Sequence, residues 1–182
     1  MAIPDREKTF SLKTSRDLLH KLEWELAGLK SADNQDLSHL AFAAFNTAIT
    51  AWHLSDWVWA DMSDAQRAEL SENWKTPLKG IGDFRARLRQ ENRSIAICRE
   101  IATASKHVSV TQSPEPNIAT VASAKASQVM NGSDIVVVGE SAIVVSTWTL
   151  KIIDGGNIDE FIAVVNSALE FWSDFIERRI GK

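Results

Sequence analysis

Apolar residues recur at steps of three and four from Leu18 onward: Leu18, Leu19, Leu22, Leu26 and Leu29 share one side of a helix. Thr14 stands where it caps that helix, and Asp17 lies in the first turn, where a negative charge is favoured. A helix over about 15–31 is predicted, ending at the polar run 31–34. The next stretch, LSHLAFAAFNTAITAWHLSDWVWADM, is the most apolar helical segment of the chain, with Ser38 as its N-cap. Phe42, Phe45, Ile49, Trp52, Asp56 and Trp59 fall on one stripe, which the pattern places inward. Ala41, Ala44, Ala48 and Ala51 give small surfaces that a second helix can approach closely. This is the expected central helix. Ser63 with Gln66 reads as a capping box for a short helix that ends before Pro77, and Gly80 and Gly82 turn the chain. Asp83 is then the expected cap of one long helix running to about Lys106. Its first half is basic and its second half, with Ile95, Cys98 and Ala102, is packed.

Beyond His107 the composition changes: Val, Thr, Ser and Ile replace Leu and Arg, and Pro114 and Pro116 break any helix. Strands are predicted over 118–126, 135–138 and 143–153, with Gly139-Glu140-Ser141 as a hairpin turn and Asn131-Gly132 turning the chain earlier. Asp154-Gly155-Gly156 ends the last strand. Asn157 and Glu160 pair as caps of a final helix whose stripe is Phe161, Val164, Val165, Ala168, Trp172, Phe175 and Ile176. The expected fold is α+β: a bundle of about five helices (14–107 plus 157–180) with a small antiparallel meander at about 118–153 before the C-terminal helix. Three strands seldom make a sufficient core alone, so one domain spanning 1–182 is expected.

Composition narrows the classes. The chain has 182 residues, 45% of them apolar and 24% charged, and a formal charge of −4, which argues against a generally basic coat for nucleic acid. One cysteine, Cys98, excludes an intrachain disulfide and a thiolate-rich zinc site, and the four His are scattered, so no metal or cofactor is expected. No apolar run approaches the roughly 20 residues of a membrane span, and MAIPDREKTF has no signal-peptide apolar region; a cytoplasmic protein is expected. Glycine-rich phosphate loops and nucleophile elbows are missing.

Three features carry candidate chemistry. Asp56 is an acid in the apolar stripe of the central helix, with His53 one turn earlier and about 60° round the axis. Such a carboxylate must be paired, either structurally or as the group that orients a catalytic His or Arg. Arg99 and Lys106 lie seven positions apart on nearly one helix face, with His107 about 80° further round from Arg99, so the three can border one anion-binding groove. The stretch 75–107 holds eight fixed cations against three acids, a net +5 that leaves −9 for the rest. Within it, Arg85, Arg89 and Arg93 form a ridge at four-residue steps, suited to phosphates or to an acidic partner surface. Trp52, Trp57 and Trp59 can wall a ligand pocket or fill the core.

An apolar second helix with an embedded acid, and an Arg followed along a late helix by a His, resemble the HEPN superfamily: compact helical bundles, often dimeric, many of them ribonucleases. The likeness covers about 15–107 and the last helix and leaves out the strands. Seven residues separate Arg99 from His107, against four to six in the family, and Glu100 stands where the family favours Asn, Asp or His. The resemblance implies metal-independent RNA cleavage by Arg99 and His107 across a dimer interface. Three functions stay open: a non-catalytic binding or regulatory module for nucleic acid or an acidic protein, such a ribonuclease, or a small-molecule binder with a Trp-lined pocket. A homodimer is expected, because the Ala- and Trp-rich helix can serve an interface as well as a core. The binding module, centred on Arg85, Arg89, Arg93, His53 and Trp57, demands the least exact geometry. The observation that bears most on catalysis is whether Asp56, Arg99 and His107 converge beside a cleft.

Overall fold

The fold, taken from a computed structural model, is described for residues 5–32, 36–106, 117–128 and 144–180. A short 3-10 turn (Asp5–Lys8) precedes α1 (Ser15–Ser31), α2 (Leu37–Asp61), α3 (Asp64–Asn73), α4 (Ile81–Glu91) and α5 (Arg93–Ala104). Then come β1 (Ile118–Gln128), β2 (Val144–Asp154), β3 (Asn157–Glu160) and α6 (Phe161–Arg179). The architecture is α+β and dominated by helices. None of the described helices is long and apolar enough to cross a membrane.

Local chemistry sets most of the boundaries. Thr14 and Asp17 close a reciprocal capping box at the start of α1, and Ser63 and Gln66 do the same for α3. The side chain of Asp36, not Ser38, caps α2 by accepting from the Ser38 and His39 amides. A carboxylate one residue outside the helix satisfies two orphan donors, which a hydroxyl inside the first turn does not.

The predicted single helix over 83–106 is two helices, so there are six helices among the described residues. Asn92 is extended (φ −141°, ψ 115°): its N–H donates to the Leu88 carbonyl and closes α4, while its side chain accepts from the Ile95 amide and opens α5. Gly80, not Asp83, is the N-cap of α4; Asp83 accepts from the Lys79 amide at 2.8 Å.

The facing of α2 also differs from the expected one. Its buried side is Leu40, Ala44, Thr47, Ala48, Ala51, Leu54, Ser55 and Val58, whereas Phe42 and Phe45 stand 64% and 40% exposed and Asp56 is half-buried. The helix is turned by about 130° from the aromatic stripe. Helices α1, α5 and α6 all pack on α2, and only small residues let three neighbours approach it closely. α1 runs antiparallel to α2: the Ser15 amide donates to Asp61 Oδ2 at 2.6 Å, and Lys21 Nζ to Thr50 Oγ1 at 2.6 Å. α6 buries its predicted stripe in full, and the Trp172 indole N–H donates to the Ala51 carbonyl at 2.8 Å.

The sheet has order β1-β2-β3 and is antiparallel throughout. β1 and β2 pair from Ile118↔Asp154 to Gln128↔Val144. β2 and β3 are joined by Gly155-Gly156, both at positive φ (58° and 98°), the conformation a two-residue hairpin needs. Asn157 and Glu160, expected as helix caps, therefore form β3, and α6 begins at Phe161 without a side-chain cap. The expected strand over 135–138 and the turns at 131–132 and 139–141 lie outside the described residues. The sheet packs on the bundle: Ile152 is buried in the helical core, and Ile118, Trp148 and Leu150 pack against it. Arg93 Nε, at 2.6 Å from Asp154 Oδ2, and a second guanidinium N–H on Oδ1 clamp the start of α5 to the end of β2. That pairing holds the Asp154 carboxyl below the usual range.

Candidate functional site

Asp56 lies on the half-exposed flank of α2, and its partner comes from α4. Phe84, fully buried, anchors α4 among the rings of Trp59, Trp74 and Phe175, with centroids 5.4, 5.8 and 6.0 Å away. The next residue, Arg85, then reaches α2: one guanidinium N–H donates to Asp56 Oδ1, Nε donates to Ser55 Oγ at 3.3 Å, and the guanidinium lies 5.5 Å from the Trp52 ring centroid. The pair is open to water on one side, with side chains 38% and 34% exposed.

His53 stands one turn back from Asp56 and is half-buried. Its surroundings come from four helices or their ends: Asp56 from α2, Arg85 from α4, Lys21 from α1 and Lys106 just beyond α5 all act on its charge. Burial pushes the imidazole below its ordinary value. Asp56 opposes that shift, and Lys106, Arg85 and Lys21 add to it. The ring is uncharged at neutral pH, with lone-pair capacity to accept a proton. Lys21 is shared with Glu25 and Thr50. Trp57, four positions after His53 on the same face, is half-buried against the core.

Other expected members lie elsewhere. Arg99 is paired with neighbouring Glu100, both side chains about nine-tenths buried, which turns its guanidinium to an internal carboxylate. Arg93 is taken by Asp154, so the row of Arg85, Arg89 and Arg93 is broken at Asn92; Arg89 keeps its place on α4, half-buried, and Arg87 pairs with Glu91. His107 lies outside the described residues, and Lys106 is exposed next to it. Asp56 therefore meets Arg85 and not Arg99. The sequence reading missed Lys21, whose position beside the apolar stripe of α1 points it along a neighbouring helix without saying which.

Cys98 is fully buried, and burial pushes its thiol up to about 12, which makes it inert. Among the described residues no three His, Cys, Asp or Glu side chains converge as metal ligands. An apolar groove of about 260 Å³ lies between the first half of α2, Ile101 and the β1–β2 hairpin; Trp52, Trp57 and Trp59 do not line it. The chain matches no protein-family model, no curated protein and no solved structure.

Proposed function

We propose that this chain is a non-catalytic binding module for single-stranded nucleic acid, RNA in the first instance, and that it works as a homodimer. The observation that supports it is Arg85, laid over Trp52 and paired with Asp56 on the water-exposed flank of α2, beside a half-buried His53 whose charge Lys21 and Lys106 also oppose. A phosphate accepts from Arg85 and Lys106 and from a ring N–H of His53. Trp52 and Trp57 on the same helix offer faces for bases, a combination of cation and ring that suits a single strand better than an acidic protein surface. Asp56 holds Arg85 in place while the site is empty.

Anisotropy of a labelled oligouridylate against the full chain tests this. Binding at low salt is expected, with log K falling as log salt rises. Arg85→Ala with Lys106→Ala removes up to two phosphate contacts and should flatten that slope by about 1.4, at roughly 0.7 per contact on a single strand. Arg93→Ala, whose guanidinium is held by Asp154, should leave it unchanged. No binding at low salt overturns the proposal.

A second reading, RNA cleavage, is favoured by the uncharged His53 beside those cations: it can take the proton of a 2′-hydroxyl while Arg85 and Lys106 hold the phosphorane charge. In that case His53→Ala abolishes cleavage by about 10²–10⁴-fold and spares most of the affinity. The HEPN-like version of this reading uses Arg99 and His107 instead, and Arg99→Ala separates the two.

A further inference from the structure

The first half of α2, away from the His53 cluster, presents the largest aromatic surface among the described residues. Trp24 is 75% exposed on α1, and Phe42 and Phe45 are 64% and 40% exposed on α2. An apolar groove flanks this ridge on each side. One, of about 290 Å³, lies between α1 and α2, with Trp24 on one wall and Ala43 and Asn46 on the other. Gly28 lines its floor, and a Cβ there would meet nothing within 4 Å. The other is the groove of about 260 Å³ between Phe45 and β1, where Val121 is 42% exposed. It exists because β2 packs on the bundle while β1 overhangs it. Thr120 and Ala122, register partners of Ile152 and Leu150 and so on the bundle side of the sheet, remain exposed.

We infer that this face is covered by a second copy of the chain, packed about a twofold axis so that each aromatic ridge enters a groove of its partner. The inference rests on the dimer part of the reading above and not on nucleic-acid binding. Area supports it: three rings exposed to this extent offer roughly 350 Å² of apolar surface. A stable interface needs about 800 Å² from each partner, so the rings supply under half, and most of the rest comes from the rim around the ridge and grooves. Charge supports it too. Among the described residues, the single acid lining the α1–α2 groove, Glu25, is already paired with Lys21, and the other groove carries only Lys151. A face so nearly neutral matches its own copy and offers an acidic or basic partner almost nothing to pair with. His53 and Asp56, with Arg85 on it, lie in the other half of α2, and Lys21, bonded to Glu25 at the groove and to Thr50 on α2, stands between the two regions.

Light scattering across a concentration series reads the outcome. The chain of 20.2 kDa should scatter as a dimer of about twice that mass. Phe42→Glu and Trp24→Glu, both at exposed positions, should each give a monomer with an unchanged far-UV spectrum. Ile158→Glu, at a residue 64% exposed on β3, should stay dimeric. A dimer that persists in both α1–α2 variants overturns this interface and leaves the dimer reading standing. A parent chain that stays monomeric at the highest concentration overturns both.

Discussion

Trp172→Phe measures the contact that fixes the depth at which α2 sits. Trp172 is fully buried, and its indole N–H donates to the Ala51 carbonyl at 2.8 Å, immediately before Trp52 and His53. Phenylalanine keeps a ring edge-to-face with Phe171 and Phe175, whose centroids lie 5.3 and 5.9 Å away, but loses the pyrrole edge. About 50 Å² of apolar burial is lost, worth about 1.2 kcal/mol at 25 cal/mol/Å². The hydrogen bond adds about 1 kcal/mol, and a cavity of about 40 Å³ adds about 1 kcal/mol at 24 cal/mol per Å³. The Ala51 carbonyl keeps its helical partner, so no orphan penalty is added. The sum is about 3 kcal/mol. In a chain of this size that lowers Tm by about 6–12 °C. Urea and thermal unfolding followed by far-UV circular dichroism read it without depending on the lost fluorophore. A loss below about 1 kcal/mol would refute both the packing of α6 on α2 and the bond that registers them.

Asp56→Ala should cost no more than about 1 kcal/mol, because its pair with Arg85 is open to water, and a urea midpoint lowered by several times that would return Asp56 to the core. Below pH 6.5 the unfolded chain binds a proton at His53 more readily than the folded one does, so stability should fall as pH drops from about 6.5 through the lowered folded value and be unaffected by this group above about pH 7. His53→Gln should remove that slope in urea midpoints compared at pH 5.5 and 7.5, and an identical slope in both proteins would refute it. Cys98, with its thiol at about 12, should resist a thiol reagent in the native protein and react fully in urea; rapid native labelling would contradict its burial.

The parts of the fold that carry their own punctuation were legible. α1 and α3 open on the capping boxes read from the sequence, and the stripes of α1 and α6 are buried residue for residue. The orientation of α2 was not, because apolar residues surround it, and periodicity cannot choose between a stripe of rings and one of alanines. The convergence of three helices decides, and it is a tertiary fact. The break at Asn92 was hidden for a related reason: an Asn inside a helical run reads as surface, and only the backbone shows it ending one helix and capping the next. Of the candidate site, Asp56 was legible as an anomaly, and His53 by its nearness. Their partner Arg85 was read as part of a ridge, since which arginine reaches which acid depends on how α4 is anchored by Phe84. Arg99 was assigned by its spacing to Lys106 and His107, while the acid that takes it is the next residue along.

The reading stands or falls on whether a phosphodiester occupies the His53 cluster. Nuclear magnetic resonance of the histidine ring nitrogens in the full chain, titrated with a short oligouridylate at low salt, reports on that position directly. A bound phosphate offsets the cations that add to the effect of burial on the imidazole, so the His53 signals should shift and its pKa should rise. Unchanged His53 signals at saturating oligouridylate would contradict the account.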